Sequence, residues 1–214
     1  MAMQVIYLRD ANIEESAARA ADVLRAGGVV LYPTDTLYGL GVDALSDAAV
    51  AKIYAIKGRD KRKPMHAIVS DLGMVERYAV LTDDTRLLAE RLPKGQATFV
   101  LKKKAGFGAG ITKGISTLGF RIPDNDLCIR MLRTFGRPIT ATSANASGEK
   151  PQRSVDKIMT QLGANARTVD LIIDAGELPE RKASTVVDLS GSEPEILREG
   201  AITASGIWKA LRTE

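Results

Sequence analysis

The sequence predicts a single α/β domain over residues 1–214. Three observations point to it. Short runs rich in Val, Ile and Leu alternate with stretches whose apolar residues recur at helical spacing. Aromatic residues make up only 5% of the chain, so the core is built from Val, Ile, Leu and Ala. No repeat, low-complexity linker or break in composition divides the 214 residues, a length that one α/β unit accommodates.

The elements follow in order. Gln4–Leu8 reads as a first strand. Across Ile13–Ala26 the positions Ile13, Ala17, Ala20, Ala21 and Leu24 share a helical face, and Gly27 is the stop. Val29–Tyr32 is a buried strand entered from Gly27-Gly28. Ser46-Asp47 opens a helix that buries Val50, Ile53 and Tyr54 and ends at Lys57-Gly58, and a basic loop continues to Lys63. His66–Val69 is a strand, Asp71–Tyr78 and Asp83–Arg91 are helices, and Pro93-Lys94-Gly95 is a turn. Ala97–Lys102 alternates as a strand does, Ala105–Gly110 is expected to be a mobile glycine-rich loop, and Ser116–Ile122 is a strand that Pro123 ends. Then come a helix at Leu127–Phe135, a strand at Pro138–Ala141, a loop of small residues at Thr142–Gly148 and a helix at Val155–Leu162. Leu171–Ile173, Thr185–Leu189 and Ile196–Arg198 are strands, and Thr203–Leu211 closes the chain as a helix.

Composition narrows the function. Lys plus Arg is 30 and Asp plus Glu is 26, a net charge of +4. That mild excess suits a polyanion such as a nucleotide or RNA, and equally an ordinary solvated surface. One cysteine, Cys128, excludes an internal disulfide and a cysteine metal cluster, and fits a reducing, cytoplasmic compartment. With His66 the only histidine, no histidine cluster is available. Cys128 shares a helix face with Leu127 and Met131 and is expected in the core. Met1-Ala2-Met3-Gln4 lacks a signal-peptide pattern, no apolar run reaches membrane length, and no GxxxxGK[ST] phosphate loop occurs.

Four groups carry chemistry. Thr34-Asp35-Thr36 and Tyr38 follow the Val29–Tyr32 strand, at the strand end where open α/β sheets collect ligands; the same residues also suit a capped turn. Lys57 and Arg59, with Arg62 and Lys63 behind, offer a point charge and a planar fork for phosphate, with Gly58 allowing close backbone approach; a solvated loop after a helix reads the same way. Thr140–Gly148, with Ser143 and Asn145, is small and hydrogen-bonding throughout, as a loop beside a planar or phosphate-bearing ligand is, and as many polar loops are. Arg121 and Arg198 end apolar strands, where they would clamp a carboxylate or phosphate or form surface ion pairs; Ser184-Thr185 opens a strand in the same half. His66, alone in an apolar strand, reads as structural.

Taken together and in this order, the chain resembles the YrdC/TsaC family, the threonylcarbamoyl-AMP synthases. The matching pieces are Tyr32–Gly41 (YPTDTLYGLG), Lys57 with Arg59, Ser143 with Asn145, Ser184-Thr185-Val186-Val187-Asp188, and Leu197-Arg198-Glu199-Gly200. The resemblance implies a YrdC-like twisted, open mixed sheet flanked by helices, with a concave basic cavity. It implies a nucleotidyltransferase that joins L-threonine, bicarbonate and ATP, releases pyrophosphate, and supplies threonylcarbamoyl-AMP to a separate transferase complex that modifies tRNA. Mg²⁺ would arrive with ATP rather than on protein side chains. Lys57 and Arg59 would then bind the triphosphate, with Thr117, Ser143, Asn145 and Arg198 at the nucleotide. Thr36 or Thr34, with Arg121, Ser184 and His66, would hold threonine. The alternative is a double-stranded RNA-binding module of the same fold without synthase activity. Asp60 and the Lys63-Pro64-Met65-His66 spacing depart from the family pattern. A chain ending at Glu214 predicts the short form, in which a cover over the nucleotide is either absent or supplied by Ala105–Gly110 or Lys150–Ser154.

Overall fold

The computed structural model describes residues 3–212. Its elements run β1 (Gln4–Tyr7), α1 (Ile13–Arg25), β2 (Val30–Pro33), β3 (Tyr38–Gly41), α2 (Asp47–Lys57), β4 (His66–Ile68), α3 (Leu72–Glu76), α4 (Asp83–Arg91) and β5 (Ala97–Lys102). They continue with β6 (Thr117–Arg121), α5 (Asp126–Phe135), β7 (Ile139–Ala141), α6 (Val155–Leu162), β8 (Leu171–Asp174), β9 (Thr185–Asp188), β10 (Glu195–Arg198) and α7 (Ala204–Leu211), with 3-10 turns at Gly110–Thr112 and Gly163–Thr168.

Four strands pair in the order β1-β8-β2-β3 and six in the order β10-β9-β5-β6-β4-β7. Both sheets are mixed: β2 lies parallel to β8 and antiparallel to β3, and β4 lies parallel to β6 and antiparallel to β7. The expected mixed sheet is present as a four-stranded and a six-stranded part joined along a seam. There the Leu40 N–H donates to the Thr142 carbonyl at 3.0 Å, Ala144 N–H to Tyr38 at 2.8 Å and Thr140 N–H to Val42 at 3.1 Å.

The seam strand β3 is the element the sequence hid. Its alternating glycines argue against a strand, because glycine packs nothing on the pleated surface. Those glycines make room for an aromatic ring. Tyr32 sits opposite Gly39 in the register. A Cβ on Gly39 would come within 2.9 Å of the Tyr32 ring, and one on Gly41 within 2.7 Å. The ring thus lies across β3, and its hydroxyl donates to the Thr140 carbonyl at 3.1 Å, in the other sheet.

Helices start where side chains cap them: Asn12, Ser46, Thr82 and Asn125 each accept from a first-turn N–H. Gly58 ends α2 in the left-handed region at φ +58°, and no atom lies within 4 Å of where its Cβ would be. It stops the helix. Helices α1 and α5 pack together, and their buried faces carry Ala17, Ala20, Ala21 and Leu24, and Leu127, Cys128, Met131 and Leu132. Cys128 is fully buried, as expected, and its thiol donates to the Pro33 carbonyl at 3.4 Å. The Ala105–Gly110 loop is tied down at several points. Phe107 packs edge-on to Tyr78 with ring centroids 5.0 Å apart, and Asp47 accepts from the Gly110 N–H.

Candidate functional site

A cavity of about 350 Å³ opens at the seam and draws its walls from both sheets. The turn between β2 and β3 supplies Thr34 and Thr36, β4 His66, β6 Arg121, β10 Arg198, and the loops Arg59, Ser143 and Ser184. Among the described residues no Asp or Glu lines it. Residues widely separated in sequence thus meet in one concave, cationic space. Pro151 also lines it, whereas no residue of Ala105–Gly110 does, so of the two expected covers only Lys150–Ser154 touches the cavity.

The turn resolves its two threonines. The Thr34 hydroxyl accepts from the N–H groups of Thr36 (3.1 Å) and Leu37 (3.2 Å) and donates to the Leu37 carbonyl at 2.7 Å, which uses its hydrogen-bonding capacity. Thr36 is more exposed, and its hydroxyl lies 3.4 Å from Arg121 Nη1 and 3.1 Å from the Thr34 hydroxyl. Thr34 shapes the turn, and Thr36 presents a hydroxyl to the cavity.

Lys57 does not line the cavity, contrary to the expectation that it faces the triphosphate. It is 4% exposed. Its ammonium donates to the Ser143 carbonyl, to the Asn145 carbonyl at 2.7 Å and to Asn145 Oδ1 at 3.2 Å. Burial, and next the Arg59 charge, lower it to about 8; the three oxygens oppose that by binding the charged form. Asn145 also turns inward: its amide donates to Ala146 O at 2.8 Å and Glu149 O at 2.7 Å, and its Oδ1 accepts from the Ser143 hydroxyl. Lys57 and Asn145 therefore staple the loop that presents Ser143. Thr117 is also absent from the cavity wall. It begins the strand that Arg121 ends, roughly 13 Å away at the usual rise of an extended chain.

The three arginines of the cavity are held differently. Arg59 Nη2 donates to Pro64 O at 3.0 Å, while its Nε is buried with no partner among the described residues. Arg198 Nη2 donates to Ser184 O at 2.8 Å. Neither forms an ion pair among the described residues. Arg121 is paired with Asp35 at 3.2 Å. Ser184 shares a 2.8 Å hydrogen bond with Thr98, a buried cavity residue that no sequence motif marks. The His66 ring packs on Gly119, where any Cβ would collide with it. Burial, then Arg198 and Arg59, push His66 down to about 4, so its ring is neutral near pH 7. Tyr32 and Tyr38 line the cavity as well, their phenols raised by burial and so kept protonated. Among the described residues no group of three His, Cys, Asp or Glu side chains could hold a metal ion, and no helix is long and apolar enough to cross a membrane.

Two mixed sheets with flanking helices and a carboxylate-free cavity of arginines and hydroxyls define an α/β protein with a site for small anionic ligands. Residues 22–200 match the Sua5/YciO/YrdC family model, whose description is "Telomere recombination", and the chain belongs to that family. A Methanocaldococcus jannaschii relative is 34% identical over 203 residues, covering 93% of this chain and 94% of that one. The threonylcarbamoyl-AMP synthase of Pyrococcus abyssi is 33% identical, and the match covers 97% of this chain but 60% of that protein. The crystal structure of Pyrococcus abyssi Sua5 complexed with L-threonine superposes with a TM-score of 0.86 at 31% identity, covering 98% of this chain and 61% of that one.

Proposed function

We propose that this protein is an L-threonylcarbamoyladenylate synthase, a nucleotidyltransferase acting on L-threonine, bicarbonate and MgATP. Support comes from the family and from relatives that carry this name. The observation that carries the proposal is the cavity wall: Arg59 and Arg198 are not neutralised by any carboxylate, Arg121 faces the same space, and hydroxyls of Thr36, Ser143 and Ser184 lie between them. A volume of about 350 Å³ is within the range of small-molecule sites. The family match favours the synthase over the RNA-binding alternative.

The chemistry asks for no covalent nucleophile. The threonine amine adds to bicarbonate with loss of water, giving a carbamate. A carbamate oxygen then attacks the ATP α-phosphorus, and pyrophosphate leaves. The protein holds two anions close together and stabilises the charge on the transferring group. In this reading Arg59, Arg198 and Ser143 bind the nucleotide, and Arg121, Thr36, Ser184 and neutral His66 bind threonine. Lys57 and Asn145 act by fixing the Ser143 loop. In this reading Mg²⁺ comes on the ATP phosphates. Residues 1–214 would act as one unit, in the cytoplasm, handing the product to a transferase complex on tRNA.

The test is product formation. Purified protein with MgATP should release AMP-linked product and pyrophosphate only when threonine and bicarbonate are both present. Pyrophosphate release that ignores threonine would sink the proposal.

A further inference from the structure

Arg121 is the least accessible of the cavity arginines. Its side chain is 9% exposed, and that of Asp35 is 6% exposed. One corner of its fork is fully engaged inward: Nη1 donates to Asp35 Oδ2 at 3.2 Å, to Gly95 O at 3.0 Å and to Thr36 Oγ1 at 3.4 Å. The hydrogen bonds that Arg121 makes among the described residues all run from Nη1, and Arg121 lines the cavity. A guanidinium offers its donors in a fixed plane, so pinning one corner sets the direction of the other.

The pin depends on a turn that the cavity itself does not include. Gly95 adopts φ +75°, and a Cβ there would collide with Asp35 Oδ2. The Asp35 carboxylate therefore occupies the space that any other side chain at position 95 would fill. Asp35 Oδ1 is buried without a partner among the described residues, so none of them holds the carboxylate from its far side. Its position rests on Arg121 and on close packing against Gly95. Breaking such a buried pair from one side leaves an uncompensated charge.

We propose that Asp35 and Gly95 form a positioning cradle for Arg121, aiming its Nη2 edge at the carboxylate of the bound amino acid. The inference rests on the threonine-binding reading given above. It assigns to the acidic residue of the Thr34-Asp35-Thr36 turn, and to a glycine in the Pro93-Lys94-Gly95 turn, an effect on amino-acid affinity that neither exerts by touching the ligand.

The test is calorimetric titration of the full chain with L-threonine, and separately with MgATP, for wild type, D35N, G95A, R121A and the D35N/R121A double variant. D35N and G95A should each weaken threonine binding at least tenfold while MgATP affinity stays within twofold. In the R121A background, D35N should add no further loss, because the cradle acts only through Arg121. A role in general folding would instead weaken both ligands together and persist without Arg121. Should D35N fail to fold, G95A carries the test, since it alters no charge. Wild-type threonine affinity in either folded variant overturns the proposal, as does a wild-type protein that binds no threonine. Threonine binding without adenylate formation would defeat the synthase reading and leave the cradle standing.

Discussion

Arg59 and Lys57 are two residues apart and differ in what they contribute. Arg59 lines the cavity, and its Nε is buried without a partner among the described residues. Arg59→Ala should lower ATP-dependent turnover by about 100-fold, the scale of one lost charge-stabilising donor, with little change in melting temperature. Lys57→Ala should behave otherwise, because it strips a buried cation from three oxygens. Thermal melts should show a loss of roughly 2–4 kcal/mol, with activity falling as the Ser143 loop loosens. The two outcomes are separable in one pair of melts and assays. His66 gives a pH test. Its folded value near 4 lies below the ordinary 6.5, so the folded state resists protonation. Stability is fully present above about pH 6.5 and falls as pH drops toward 4, by on the order of 3 kcal/mol in all. As the only histidine in the chain, its NMR titration needs no assignment by mutation; a midpoint near 6.5 would contradict the burial argument. At this scale the sequence marked residue types well and orientations poorly. Nothing in Lys57-Gly58-Arg59 shows that the lysine turns inward to carbonyls supplied 86 and 88 residues later.

Elements with strong local signals were legible because their causes are local. Ser46 caps α2 from its own first turn, and Gly27 and Gly58 follow the ends of α1 and α2 in the left-handed region. Strand β3 was not, because the reason for its glycines lies on β2, in the Tyr32 ring that covers them. Gly39→Ala and Gly41→Ala should each destabilise by about 1–3 kcal/mol through overpacking, read as a lower denaturation midpoint. Because Tyr32 and Gly39 both line the cavity, Gly39→Ala should also weaken ligand binding. Gly58→Ala, with open space at the Cβ, should cost only about 1 kcal/mol of left-handed strain and leave binding unchanged.

The whole molecule explains why a mild net charge of +4 produces a strongly cationic site. Among the described residues no carboxylate lines the cavity; of those just behind its wall, Asp35 is paired with Arg121 and Asp174 accepts from the Tyr38 hydroxyl. Composition alone left a polyanion site and an ordinary surface equally open; the decisive fact is the meeting of Arg59, Arg121 and Arg198 from distant positions across the seam. The family resemblance gathered most of those residues before any geometry was known. It missed Thr98, Gly95 and the ion pair, whose partners no linear motif joins. The central claim is that one cavity holds threonine, as its carbamate, beside MgATP. It is tested most directly by following pyrophosphate release from MgATP while threonine and bicarbonate are omitted in turn. The account predicts release with all three present and none when either is missing. Equal release without threonine would contradict it.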